Sequence, residues 1–208
     1  MKARGKFITI DGGEGVGKST NRSYLAEALR SCGVSLKLTR EPGGTELGER
    51  LRDLLLSTEG DAPVPTAELL MIFAARAQHL EKVIAPALAA GEWVLCDRFT
   101  DATFAYQGAG RGLDAEFISA LEALVQDGQQ PDLTVILDVD PEIGMQRAVA
   151  RGELDRFERE ALPFFRRVRE AYLARAKLVP SRYRVIDAGQ PLEQVERDLT
   201  RVVMDLMQ

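Results

Sequence analysis

With 208 residues, 45% of them apolar and 28% charged, the chain has the size and composition of one folded α/β domain. Its net charge of −5, from 27 basic and 32 acidic residues, argues against a general nucleic-acid binder with a basic patch. No apolar run approaches the ~18 residues of a membrane span, and one histidine, His79, cannot supply a Ser-His-Asp triad or a histidine-rich metal site. His79 itself reads as a helix-surface residue, with a catalytic role the alternative.

In chain order, the basic N-terminus precedes an apolar run too short for a signal peptide, so the expected location is the cytoplasm. That run, within Lys6–Asp11, reads as a buried strand. It leads into Gly12-Gly13-Glu14-Gly15-Val16-Gly17-Lys18-Ser19, a G-x-x-x-x-G-K-S sequence, and then a helical pattern over Ser19–Cys32 that takes in Thr20. Strand, glycine loop and helix are the context of a phosphate-binding P-loop. Glycines let consecutive N–H groups curl around phosphate, and the helix N-terminus adds donors and a positive dipole end. Lys18 is expected on the β- and γ-phosphates and the Ser19 hydroxyl on Mg²⁺. Cys32 and Cys96 have no metal-binding spacing and read as reduced thiols.

Four more strands are expected, at Ser35–Arg40, Trp93–Asp97, Leu133–Asp138 and Tyr183–Asp187. Helices are expected near Leu47–Leu56, Ala67–Ala90, Ala115–Gln126, Pro141–Arg151, Ala161–Val179 and Leu192–Met207. Pro141 and Pro191 suit first helical turns, Gly33 and Gly91 suit C-terminal caps, and Pro180 ends the helix before it. The segment from Gly60 to Pro65 is the clearest loop. The alternation predicts one α/β domain over residues 1–208: a five-stranded parallel sheet with helices on both faces, in the three-layer P-loop NTPase architecture. Ligands in such sheets bind beyond the carboxyl ends of the strands. Asp11, Asp97, Asp138 and Asp187 end four of the strands and Glu41 follows the other, so that edge is lined with charge; Asp138 reads equally well as a helix cap.

Three segments narrow the function: Thr39-Arg40-Glu41-Pro42-Gly43-Gly44-Thr45, Asp97-Arg98-Phe99, and the charged loop Arg151-Gly152-Glu153-Leu154-Asp155-Arg156-Phe157. With Ala105-Tyr106-Gln107-Gly108 and Arg111-Gly112, they resemble the bacterial thymidylate kinase family over essentially the whole chain. The resemblance implies transfer of the γ-phosphoryl group of ATP to dTMP with Mg²⁺. It puts Arg98 and Arg52 on the acceptor phosphate, Asp97 on the magnesium shell, Glu41 on the magnesium waters or the acceptor side, and Asp11 near the acceptor phosphate or 3′-hydroxyl. Phe73 would stack on thymine and Arg76 would donate to its O4. Thr103 and Gln107 would reach the N3 edge, with Tyr106 near the sugar; position 72, four before Arg76, is isoleucine. Residues 148–158 resemble a lid. The P-loop's variable positions hold no arginine, so the lid would supply the catalytic one, from Arg151 first or Arg156. Arg147 is a further cation near the ATP side, and the Asp187–Pro191 turn would lie against adenine. The competing reading of the lid is a solvated charge run.

Rival functions are another P-loop deoxynucleoside or nucleotide kinase, which would not need two acceptor-phosphate arginines if its acceptor were a nucleoside, and a nucleotide switch. Against the switch, no Asn-Lys-x-Asp guanine motif occurs. No nucleic-acid or membrane partner is expected. Apolar faces at Leu69-Leu70 and over Phe117–Val125 exceed what one sheet needs, and the resemblance implies a homodimer.

Overall fold

Five short segments form one parallel sheet, in the order β2-β3-β1-β4-β5, in the computed structural model, which describes residues 3–207. They are β1 (Phe7–Gly12), β2 (Leu36–Arg40), β3 (Trp93–Asp97), β4 (Leu133–Asp138) and β5 (Tyr183–Asp187). Every residue of β1 is buried, as a central strand covered on both faces requires. The polar Thr9 is accommodated by a 2.9 Å hydrogen bond between its hydroxyl and that of Thr134 on the neighbouring strand.

Alternation along β1 divides the core. Ile8 and Ile10 pack with Leu25 and Leu29 of α1 (Lys18–Ser31) and with Val195 and Leu199 of α9 (Leu192–Met207). Phe7 faces the other way, toward Leu80, Ile84 and Leu88. On that second face Ile136 of β4 meets Phe165, Val168 and Tyr172 of α8 (Leu162–Leu178). Each fully buried Leu, Ile or Phe contributes about 1.5–3 kcal/mol, so this two-sided pattern fixes the sheet between its helical layers. The expected fold class and all five strands are present.

The helices differ from expectation in three places. The long helix is interrupted: α3 (Pro65–His79) passes into a π-helical turn at Leu80–Ile84 and then α4 (Ala85–Ala89). Pro86, which lacks an N–H, stands just beyond that turn. After β3, a short α5 (Thr100–Thr103) and a π-helical segment, Phe104–Gly110, were not expected. Asp138 does not cap a helix: it accepts two hydrogen bonds, 2.7 and 2.8 Å, from Arg169 of α8. Asp140, directly before Pro141, caps α7 (Pro141–Arg151) by accepting from the Glu142 N–H at 2.9 Å. The remaining helices, α2 (Glu46–Leu56) and α6 (Ala115–Gln126), lie close to the expected bounds.

Because the chain runs to opposite sides of β1, a crevice opens at the carboxyl edge of the sheet. The carboxyl ends of β1, β2 and β3 deliver the P-loop, Glu41 and the Asp97-Arg98 pair into it.

Candidate active site

The P-loop turns between β1 and α1. Gly15 has φ +66°, and a Cβ there would fall 1.8 Å from the carbonyl oxygen of Gly144 on α7. Only glycine permits both that conformation and that approach. The Lys18 ammonium is folded back onto the loop, donating to the Gly13 carbonyl at 2.5 Å and the Gly12 carbonyl at 3.3 Å. Burial and the neighbouring Arg98 push the lysine pKa down. Glu14 sits 3.8 Å from this ammonium and accepts from Arg98 and from the Tyr106 hydroxyl, both at 2.6 Å. Burial works against its charge, but Lys18 and Arg98 outweigh that and hold its pKa at about 2. The loop's own carboxylate thus neutralises the cations that phosphate would meet.

A cleft of about 520 Å³ runs from this loop to α3 and the lid. From the ATP end, Glu14, Gly15, Val16, Gly17, Lys18, Ser19 and Thr20 line it, with Asp97 and Arg98 beside them. Arg98 has φ +66°, a conformation that costs a non-glycine residue about 1–3 kcal/mol and marks a constrained site. Its guanidinium also donates to the Gly12 carbonyl (3.2 Å), Tyr106 (3.0 Å) and Tyr172 (3.3 Å). Arg52 lines the cleft from α2 and donates to the Pro42 carbonyl at 3.0 Å. Burial, Arg40 and Arg98 all press its pKa down. Arginine keeps its charge regardless, so an anion at this end of the cleft would relieve the repulsion that Arg40 and Arg98 exert on Arg52.

The far wall is built from α3 and the π-helical segment. Arg76 and Ile72 line the cleft, while Phe73 does not. Phe73 is buried with Leu69 and with Ile118 of α6, and its ring lies 4.8 Å from the Arg76 guanidinium, opposite Phe99 at 5.0 Å. The phenylalanine expected against thymine therefore holds the arginine, and Ile72 takes the position facing the cleft. Successive helix residues point about 100° apart, so a one-residue difference exchanges core for cleft.

Arg76 donates from Nε to Glu41 at 2.7 Å and from Nη2 to Thr103 at 3.0 Å, and its Nη1 has no partner among the described residues. The other Glu41 oxygen is 3.0 Å from His79 Nδ1, whose Nε2 lies 2.6 Å from the Thr39 hydroxyl. His79 is fully buried rather than on a helix surface. Glu41, which lines the cleft, thus anchors Arg76 through one oxygen and pairs with His79 through the other. Tyr106 also lines the cleft; its ring lies 4.6 Å from the Arg98 guanidinium and its hydroxyl donates to Glu14 of the P-loop.

Of the segment 148–158 expected to form a lid, Asp155 and Arg151 line the cleft together with Phe157 and Glu158. The Arg151 side chain is 62% exposed and pairs with Glu158. Arg156 is spent in the wall, donating to the Leu55 carbonyl at 2.7 Å and to Glu68 at 2.6 Å, so of the two lid arginines Arg151 is the one at the cleft. Arg147 donates to the Ala188 carbonyl at 3.0 Å, which brings together two features expected on the adenine side. Sequence reading missed Ile72, Glu68 and Phe99. The adjacency of Phe99 to Asp97-Arg98 and the place of Ile72 four before Arg76 were usable signals; Glu68 had none without the fold.

Asp11 lies buried behind the loop, accepting from Tyr172 at 3.3 Å with its second oxygen unpartnered. Burial first, then Asp101, raises its pKa from 3.8 to about 7. The folded protein therefore holds a proton that the unfolded chain releases above pH ~4, and stability falls as pH rises from about 4 to about 7. Asp11→Asn removes this term. Its stability relative to the parent is expected to rise by up to about 4 kcal/mol between pH 4 and pH 8. Urea unfolding at the two pH values measures it, and a pH-independent difference would refute the assignment.

A P-loop facing an arginine-lined acceptor pocket across one cleft defines a P-loop kinase of small phosphorylated acceptors. The thymidylate kinase family model matches residues 10–199. A thymidylate kinase of Teredinibacter turnerae is 59% identical over 199 residues, 96% of this chain and 97% of that one. Another, of Alcanivorax borkumensis, is 56% identical over 202 residues, 97% of each. The crystal structure of thymidylate kinase from Ehrlichia chaffeensis superposes with a TM-score of 0.79 at 36% identity, covering 99% of this chain and all of that one. The chain belongs to the thymidylate kinase family.

Proposed function

We propose that this chain transfers the γ-phosphoryl group of ATP to dTMP, giving dTDP and ADP, in the cleft just described. The observation that carries the reading is the joining, in one cleft, of a P-loop with Lys18 to a pocket holding Arg52 and Arg98 and a polar wall of Arg76, Thr103 and Gln107. The P-loop N–H groups and the start of α1 bind the ATP phosphates. Lys18 leaves its loop carbonyls for the β- and γ-phosphates, and phosphate displaces Glu14 from Arg98. Arg52 and Arg98 hold the acceptor phosphate; phosphoryl transfer asks for such positioning and charge neutralisation.

Ser19 and Asp97 line the same cleft, and no cluster of three or more metal-binding side chains occurs among the described residues. Two protein oxygens completed by phosphate and water suit Mg²⁺, which dehydrates reluctantly, so the donors fit. When bound, Mg²⁺ supplies charge neutralisation at the phosphates; chelation by EDTA should abolish turnover. At the far wall, Ile72 and Phe99 give the base apolar contact, Arg76 Nη1 donates to O4, and Gln107 meets N3. Arg151 swings from Glu158 onto the transferred group as residues 148–158 close, excluding water. Arg151→Ala is expected to lower kcat by about 10³-fold or more with little change in either ligand's affinity; unchanged kcat would remove the lid from the chemistry.

The test is ADP release with MgATP and dTMP, dUMP, dCMP, AMP or thymidine offered separately. Fast turnover with dTMP, and weaker turnover with dUMP, is expected, because a thymine methyl group is worth only ~1 kcal/mol. Turnover with thymidine but not dTMP would make the protein a nucleoside kinase. No described helix is long and apolar enough to cross a membrane, and soluble substrates suit a cytoplasmic enzyme. Leu70 of α3 with Phe117 and Leu124 of α6 are 53–79% exposed. This apolar face supports a homodimer, and a monomer in sedimentation equilibrium at micromolar protein would rule it out.

A further inference from the structure

Glu68 stands in the first turn of α3, fully buried, outside the cleft. A carboxylate at 0% exposure demands donors. It has three: Gln107 Nε2 at 2.8 Å and Arg111 Nε at 3.3 Å on one oxygen, and Arg156 Nη2 at 2.6 Å on the other. Gln107 is the only one of these three donors that also lines the cleft.

We propose that Glu68 is a specificity-determining positioning residue, which fixes the end of the Gln107 amide that faces the base. An ionised carboxylate only accepts hydrogen bonds, so it can pair only with the NH₂ end of that amide. Two guanidinium groups, which can only donate, share the same carboxylate. The carbonyl Oε1 of Gln107, which accepts no hydrogen bond among the described residues, is then the end presented to the ligand. Arg76, whose Nη1 has no partner among the described residues, lines the same cleft. A donor and an acceptor offered together match the O4 and N3–H of thymine or uracil. Cytosine offers an NH₂ and an unprotonated N3 instead, so it opposes donor to donor and acceptor to acceptor. Without Glu68 the amide could turn over and remove half of that opposition. The inference rests on the base-reading roles given to Arg76 and Gln107 above.

Glu68→Gln keeps the shape and removes the constraint. If the oxygen of the new amide stays on Arg156, its NH₂ faces Gln107 and turns that amide over. The kcat/KM ratio of dTMP to dCMP is then expected to fall about 10–100-fold, since a mispaired buried polar group is what gives such discrimination. A merely structural role would lower both substrates together, and an unchanged ratio in a folded variant would overturn the proposal. A parent protein that does not prefer dTMP over dCMP would instead overturn the base-reading roles. Should Glu68→Gln not fold, the parent decides the matter through its Gln107 side-chain NH₂ resonances, assigned by their loss in Gln107→Leu. Slow exchange with solvent, kept when dTMP binds, supports the proposal. Rapid exchange in the unliganded protein, or protection that appears only with dTMP, overturns it.

Discussion

Lys18→Ala is expected to reduce turnover by about 10³-fold or more while dTMP still binds, as measured by ADP release and by calorimetric titration of dTMP. The split follows from where the ammonium sits. Its hydrogen bonds are to the Gly12 and Gly13 carbonyls and its nearest charge is Glu14, all in the loop. The far wall, with Arg76 and Thr103, is held by Glu41 and the α3 packing without any help from Lys18. The substitution therefore withdraws charge from the β- and γ-phosphates and leaves the acceptor pocket assembled. Burial already costs this ammonium, which its lowered pKa records, so its removal should change the melting temperature little. Turnover within tenfold of the parent would show that the P-loop backbone alone carries the phosphates. Loss of dTMP binding would show that the two ends of the cleft are not separable.

The parts of the site that were legible in the sequence are those whose geometry is local. The P-loop is eight consecutive residues between a strand and a helix, and Arg98 follows a strand end directly, so topology alone delivers both to the carboxyl edge. What was not legible depends on residues far apart in the chain. His79 reads as a surface residue because its partners, Glu41 and Thr39, lie 38 and 40 residues away on another element. Glu68 carries no signal in the sequence, because its partners stand 39, 43 and 88 residues later. Phe73 and Ile72 are adjacent apolar residues of α3 and both are buried, so hydrophobic periodicity does not tell which of them faces the cleft and which the core. Asp138 and Asp140 compete for one cap, and the Asp-Pro sequence at 140–141 was the stronger signal.

Arg98→Ala is expected to damage both halves of the reaction, and so to differ from Lys18→Ala. The guanidinium touches the Gly12 carbonyl and Glu14 in the P-loop, Tyr106 beneath it, and Tyr172 beyond, all at 3.3 Å or less. On the reading proposed above it stands between donor and acceptor phosphates. Its loss should weaken dTMP binding and lower kcat together, for a combined fall in kcat/KM of about 10³-fold or more. There is also a structural cost. Glu14 would remain largely buried with only Lys18 and the Tyr106 hydroxyl to balance it, and stranding part of a buried charge costs about 1–3 kcal/mol. The melting temperature of the unliganded variant should fall accordingly. Arg98→Lys restores the charge but not the planar fork that engages several acceptors at once. It should recover much of the stability and little of the turnover. If Arg98→Ala bound dTMP as tightly as the parent, the acceptor phosphate would have to rest on Arg52 alone, and Arg98 would be a brace for the P-loop.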